Sequence, residues 1–113
     1  MSSGYNETDL SAESRNIHRA LASLQEELEA VDYYHQRLDR SDSAPLKAIL
    51  EHNRNEEMEH AAMLLEWIRR EMPAFDVALK TYLFTSKPIT EIEADAGQAP
   101  GHRMDLGVGN MKS

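Results

Sequence analysis

The sequence predicts an all-α protein: an antiparallel two-helix hairpin plus a short third helix, which a second copy closes into a four-helix bundle. Three observations carry this reading. Apolar residues recur alternately every four and three positions through Ile17–Leu38 and again through Leu46–Trp67, the repeat of helices that face a neighbour. A short polar turn, Asp39-Arg40-Ser41-Asp42-Ser43-Ala44, separates the two stretches, so they lie side by side and antiparallel. A chain of 113 residues has too little mass to cover such a seam alone, and a dimer of hairpins is a closed solution.

Residues 1–10 (MSSGYNETDL) are polar and read as a flexible lead-in. The first helix is expected from about Ser11, whose hydroxyl suits an N-cap, to Leu38. Its seam reads Ile17, Leu21, Leu24, Leu28, Val31, His35 and Leu38. Pro45 fits the first turn of the second helix, where its missing N–H costs nothing. That helix runs to about Met72 and is stopped by Pro73. Each helix is about 28 residues, or roughly 42 Å long. A third helix is expected over 73–84, with Phe75, Ala78, Leu79, Tyr82 and Leu83 on one side. Beyond Thr85 the pattern fades to a brief turn around Ile89 and Ile92. The predicted organisation is a helical domain over 11–96, a Gly/Pro-containing linker over 97–104 and a tail over 105–113.

Composition excludes several classes. There are 20 acids against 12 Lys and Arg, a net charge of −8, and the excess lies before Pro73, where 15 acids face eight bases. Such a surface repels nucleic acid and anionic membranes and attracts cations. No cysteine is present, so disulfides, thiolate metal sites and thiol nucleophiles are absent. The N-terminus lacks the apolar core of a signal peptide, and no apolar run approaches the roughly 20 residues of a membrane span. The expectation is a cytoplasmic protein.

The second seam breaks its own rule in the middle. It reads Leu46, Leu50, Asn53, Glu57, His60, Leu64 and Trp67, so a carboxylate and an imidazole occupy positions where apolar side chains belong. Glu57 and His60 are three residues apart and share a helix face. A buried carboxylate costs several kcal/mol unless it is paired or bound to a metal. Folding the hairpin about Asp42 puts Glu27 and Glu57 level, each roughly 22 Å from the turn. Leu24 and Val31 flank Glu27 on the seam, so it can face inward. One chain then offers a Glu opposite a Glu-x-x-His, half of the ligand set of ferritin-like di-iron carboxylate proteins; a two-fold dimer supplies the other half. The residues alone leave two readings open, a metal centre and a buried salt-bridge network. Asp32, His35 and His52 form a second, poorer cluster, read as a structural pair of His52 with Asp32. Tyr34, seven residues beyond Glu27 on the same stripe, either packs or lies beside a metal.

Longer runs carry a resemblance. Gln25-Glu26-Glu27-Leu28-Glu29-Ala30-Val31-Asp32-Tyr33-Tyr34 resembles the metal-binding helix of encapsulated ferritins, and His52-Asn53-Arg54-Asn55-Glu56-Glu57-Met58-Glu59-His60-Ala61-Ala62-Met63 with Leu65-Glu66-Trp67 resembles their second helix. Thr81-Tyr82-Leu83-Phe84-Thr85 resembles the end of their third. The tail Asp105-Leu106-Gly107-Val108-Gly109 is similar to the peptide that docks such cargo inside encapsulin shells. The chain departs from the family at Tyr33, where relatives carry Trp, and at Asn110-Met111, where Ser-Leu is commoner. The resemblance implies a ferritin-like four-helix bundle and ferroxidase activity at a di-iron centre shared by two chains. It also implies annular oligomers of dimers and residence inside an encapsulin nanocompartment in the cytoplasm, reached through the tail. It places the iron ligands at Glu27, Glu57 and His60, the acids through which iron approaches at Glu26 and Glu29, and an outer tyrosine at Tyr34. Two rivals are a rubrerythrin-like peroxide reductase and a non-catalytic helical interaction protein with a buried Glu/His network.

Overall fold

A computed structural model of the chain describes residues 7–97, and these are all-helical, in the order a 3₁₀ turn, α1, α2, α3 and α4. They divide into two compact units, one ending at Glu71 and the other starting at Met72. The expected linker and tail lie outside the described residues, apart from Gly97.

The first unit is the hairpin. Its helix α1 spans Ala12–Arg40 and α2 spans Ala44–Glu71. Ser11 caps α1 as expected, its Oγ accepting the Ser14 N–H at 3.1 Å. Arg37 and Arg40 occupy the last turn, where positive charge suits the helix dipole. The turn is only three residues, Ser41 to Ser43. The Ser43 Oγ accepts the Leu46 N–H at 3.3 Å, which opens α2 one residue before Pro45. Cross-contacts between Glu27 and His60 and between His35 and Arg54 run in opposite senses along the chain, which makes the helices antiparallel. They centre near Ala44 rather than Asp42. Ahead of α1, Glu7–Asp9 forms a 3₁₀ turn in place of a loose lead-in. The Glu7 carboxylate accepts from Arg19 at 3.0 and 3.2 Å, and Arg15 donates to the Glu7 and Leu10 carbonyls.

The stripe that α1 turns away from solvent shares Leu24, Val31 and Leu38 with the predicted seam and departs from it by one residue at the alternate positions. Leu21, Leu28 and His35 are exposed, while Ala20 is buried and Leu24, Glu27, Val31, Tyr34 and Leu38 are half-buried. On α2 the most enclosed positions are Ala61 and Ile68, one residue past the expected His60 and Trp67. Both the expected and the enclosed positions repeat every seven residues; the enclosed ones stand one residue earlier on α1 and one later on α2, a constant offset of about 100° around each helix. The apolar residues left outside are substantial: Leu28 is 55 % exposed, Met63 60 % and Trp67 37 %. One hairpin cannot hide them, as expected of half a bundle.

The second unit starts where Pro73 opens α3, Pro73–Tyr82, with Met72 as its cap. The helix ends two residues before the expected Phe84, which takes φ 62°, a left-handed conformation that costs a non-glycine residue about 1–2 kcal/mol. The region expected to hold only a brief turn is a helix, α4, over Ile89–Gly97. The Pro88 carbonyl accepts from Glu91 and Ile92, and Lys87 pairs with Asp95 two turns on, local contacts that apolar periodicity does not register. Ile92 is buried, and α4 lies against α3. Among the described residues, no helix is long and apolar enough to cross a membrane.

Candidate metal centre

The shift of the contact stripe carries Glu27 inward. Leu24 and Val31, one turn to either side of it, fix that face of α1 towards α2. Glu57 and His60 meet it from one face of α2, as their spacing requires. One ligand atom from each of Glu27, Glu57 and His60 lies within 4.8 Å of the others, and among the described residues this is the one place where three such groups gather.

The imidazole is oriented. Its Nδ1 stands 3.3 Å from Glu57 Oε1 and 3.5 Å from Glu27 Oε1, while Nε2 faces away towards Glu56 Oε1 at 3.9 Å. Both site carboxylates are three-quarters buried, at 25 % side-chain exposure, against 42 % for His60. Two acceptors thus compete for one ring nitrogen. Glu57 takes it, and Glu27 Oε1 is left buried without a donor. A proton shared with Glu57 is the remaining way to match that oxygen. This hydrogen bond, then burial, then the Glu57 charge, hold the Glu27 carboxyl above its ordinary range, against a weaker opposing pull from His60. Burial draws the His60 imidazole down, but the Glu57 hydrogen bond and the charges of Glu27, Glu57 and Glu56 together raise it above its usual value.

An orphaned buried carboxylate oxygen is the feature that a cation would complete. Two hard carboxylates and one imidazole suit a divalent ion such as Fe(II), and three donors from one chain leave positions open. The residues therefore fit the metal that the resemblance implies.

The other expected residues are elsewhere. Glu26 and Glu29 flank Glu27 but are exposed, and Glu29 Oε2 accepts from the Tyr33 hydroxyl at 3.3 Å. The Glu29 charge, followed by that hydrogen bond, pushes the Tyr33 phenol up. Tyr34 lies half-buried on the same stripe as Glu27, with the Arg37 guanidinium 5.3 Å from its ring centre. The poorer cluster does not assemble as read. Asp32 accepts from Gln36, His52 pairs with Glu56, and His35 meets Arg54 at 3.1 Å. These pairings are mostly local, because a neighbour one turn away on the same helix is reached at less entropic cost than one across the hairpin. Sequence reasoning missed Glu56, although His52, Glu56 and His60 stand in one row at intervals of four.

Comparison with known proteins identifies the family. The sequence pattern of the EncFtn-like family matches residues 3–86. The chain is 56 % identical over 102 residues to a ferritin-like protein of Thermotoga maritima, spanning 89 % of this chain and 90 % of that one. It is 50 % identical over 115 residues to an encapsulated ferritin-like protein of Rhodospirillum rubrum, covering 91 % of this chain and 82 % of the relative. A crystal structure of a protein from Nitrosomonas europaea matches it with a TM-score of 0.75 at 61 % identity, over 79 % of this chain and 98 % of the other. A family match over most of the chain, two relatives at half identity or better and a shared helical fold lead to one conclusion: this chain belongs to the EncFtn-like family of encapsulated ferritin-like proteins.

Proposed function

We propose that the protein is a ferroxidase, oxidising Fe(II) to Fe(III) at a centre that two chains build together. The observation that carries this is the buried, donorless Glu27 Oε1 between a second carboxylate and an imidazole. A salt-bridge network explains it less well, because one imidazole cannot satisfy two carboxylates and leaves that oxygen unmatched. Iron is the substrate, and a pair of ions held together supplies two electrons to O₂. Glu27 and Glu57 would hold the iron through carboxylate oxygens that offset its charge, and His60 would hold it through its Nδ1 lone pair once that nitrogen has given up its proton. A three-donor half-site needs a second copy for completion, and the exposed Leu28, Met63 and Trp67 give such a dimer apolar surface to bury. Annular assembly of these dimers is the arrangement that the family resemblance implies.

Glu26 and Glu29, exposed beside Glu27, supply an acidic approach for hydrated Fe(II), and Tyr34 lines the stripe two turns from the centre. A bundle of this size encloses no mineral store, so oxidised iron passes to a compartment. Residues 105–113 are the address for an encapsulin shell, which places the protein inside a nanocompartment in the cytoplasm; residues 97–104 are the tether. Small apolar side chains at Leu106 and Val108, spaced by glycines, suit shallow pockets on a partner, and many tails per oligomer add avidity.

Stopped-flow absorbance during aerobic Fe(II) addition tests the assignment. His60→Ala and Glu57→Ala should bring oxidation close to the uncatalysed rate, while Glu13→Ala, an exposed acid in the first turn of α1, should leave it unchanged. Wild-type rates in both ligand variants would refute it.

A further inference from the structure

The two nitrogens of His60 are divided between different carboxylates, and only one side of that division belongs to the centre already described. Nδ1 faces Glu57 and Glu27, whereas Nε2 faces Glu56, one turn back on α2. An imidazole that gives its Nδ1 lone pair to a metal must carry its remaining proton on Nε2. The group facing that position therefore selects the tautomer and the ring angle.

Glu56 is built for this. Its Oε1 stands 3.9 Å from His60 Nε2, and its Oε2 stands 3.9 Å from His52 Nε2, a further turn back along the same face. The carboxylate thus stands between two imidazoles, within ion-pair reach of each. These are ion-pair separations, and closure by about 1 Å gives a hydrogen bond. Glu56 is adjacent to Glu57 in sequence, yet the helix turns it about 100° away, so it reaches the outer edge of the His60 ring and not the metal position.

Accepting the reading of Glu27, Glu57 and His60 as a metal centre, we propose that Glu56 is a positioning residue. It holds the Nε2 proton of His60 and so presents Nδ1 to the ion, with His52 steadying the opposite oxygen. Its contribution is to metal affinity through His60, with no contact to the metal itself.

The test uses the full chain, freed of metal, titrated calorimetrically with Co(II), an air-stable probe for Fe(II). A crystal structure of the Co(II)-bound wild type should show the ion on Nδ1. Glu56→Ala should weaken Co(II) binding about 10- to 100-fold, the range for outer partners of metal-ligating histidines. Glu56→Gln keeps an oxygen at the same reach and should restore binding to within a few-fold of wild type. Glu56→Asp keeps the charge but draws it back by one methylene, and should stay weak. Glu59→Ala removes an equal charge from the same helix and should bind like wild type. The ordering of Gln above Asp separates positioning from charge, and decides the matter even if the Ala variant fails to fold. Wild-type affinity in Glu56→Ala, equal losses in the Glu56 and Glu59 variants, Asp outperforming Gln, or Co(II) seated on Nε2 would each overturn the proposal. Wild-type protein that fails to bind Co(II) at these three residues overturns the metal-centre reading and this proposal with it; normal wild-type binding with an indifferent Glu56→Ala overturns this proposal alone.

Discussion

Glu27→Gln should make the metal-free protein more stable at neutral pH and remove the stabilisation that metal confers. The wild-type carboxylate has a buried oxygen with no donor, beside a second carboxylate. Glutamine keeps the shape, removes the charge and offers an N–H to Glu57. The pH sign follows from the raised carboxyl: the folded chain binds that proton more tightly than the unfolded chain. Stability therefore falls as pH rises from the ordinary value of 4.5 through the raised folded value. His60, also raised, contributes stability that is present below its ordinary 6.5 and is lost as pH rises through its folded value. Removing Glu27 abolishes the first slope and reduces the second, since Glu27 helps to raise His60. Metal acts in the opposite direction. At 100 times its Kd a bound ion stabilises the folded state by about 2.7 kcal/mol, which for a unit of this size is roughly 10–20 °C in Tm. Melts followed by circular dichroism at fixed protein concentration, with and without Co(II), give four Tm values. The wild type should move up by that amount on adding metal; the variant should start higher and move little. A metal-free variant that melts below wild type at pH 7, or one that keeps the full metal shift, would refute the account of the orphaned oxygen.

Two further outcomes are expected. Glu66 is held down to about 2, first by its hydrogen bond from Arg69 and then by that from Arg70. Its contribution is present above 4.5 and lost as pH falls through about 2, so acid melts of Glu66→Gln should be flatter than wild type in that window, with a neutral Tm only a few degrees lower because the pairs are partly exposed; an unchanged acid slope would count against it. Deleting residues 105–113 should abolish co-purification with a co-expressed encapsulin while leaving iron oxidation and oligomer size intact, and a truncated chain that still loads would remove the tail as the address.

The two long helices and their turn were legible because every local signal agreed: Ser11 as cap, polar residues at the turn, Pro45 and Pro73 at helix starts. The contact stripe was legible only to within one residue. Leu21, Leu28 and His35 and the enclosed Ala20, Glu27 and Tyr34 both repeat every seven residues beside the shared Leu24, Val31 and Leu38, so counting fours and threes cannot choose between two stripes that differ by one residue. Helix α4 was missed because Pro88 and the Lys87–Asp95 pair start and brace it without a long apolar period. The three clustered residues were found by another route, level and face together, which tolerates an error of one position. Glu56 escaped because, taken alone, it is one more acid on a crowded acidic helix.

That one-residue difference also explains why the site lies where it does. On the enclosed stripe of α1, Leu24, Glu27, Val31 and Tyr34 alternate apolar with polar, and α2 answers with Leu50, Asn53, Glu57, Ala61 and Leu64. The apolar members flank the polar ones along the hairpin, so both carboxylates are largely withdrawn from water and Glu27 is left with an oxygen that has no donor. Leu21 and Leu28, which the expected seam would have used for that closure, are left outside. They are available to a second chain, the same addition that would complete a three-donor half-site. Local pattern and global burial conflict at Glu27, Glu57 and His60, and natural sequences keep such conflicts mainly where function offsets their cost. A hairpin optimised for its own stability would place leucine at all three positions and lose its reason to bind either a cation or a partner.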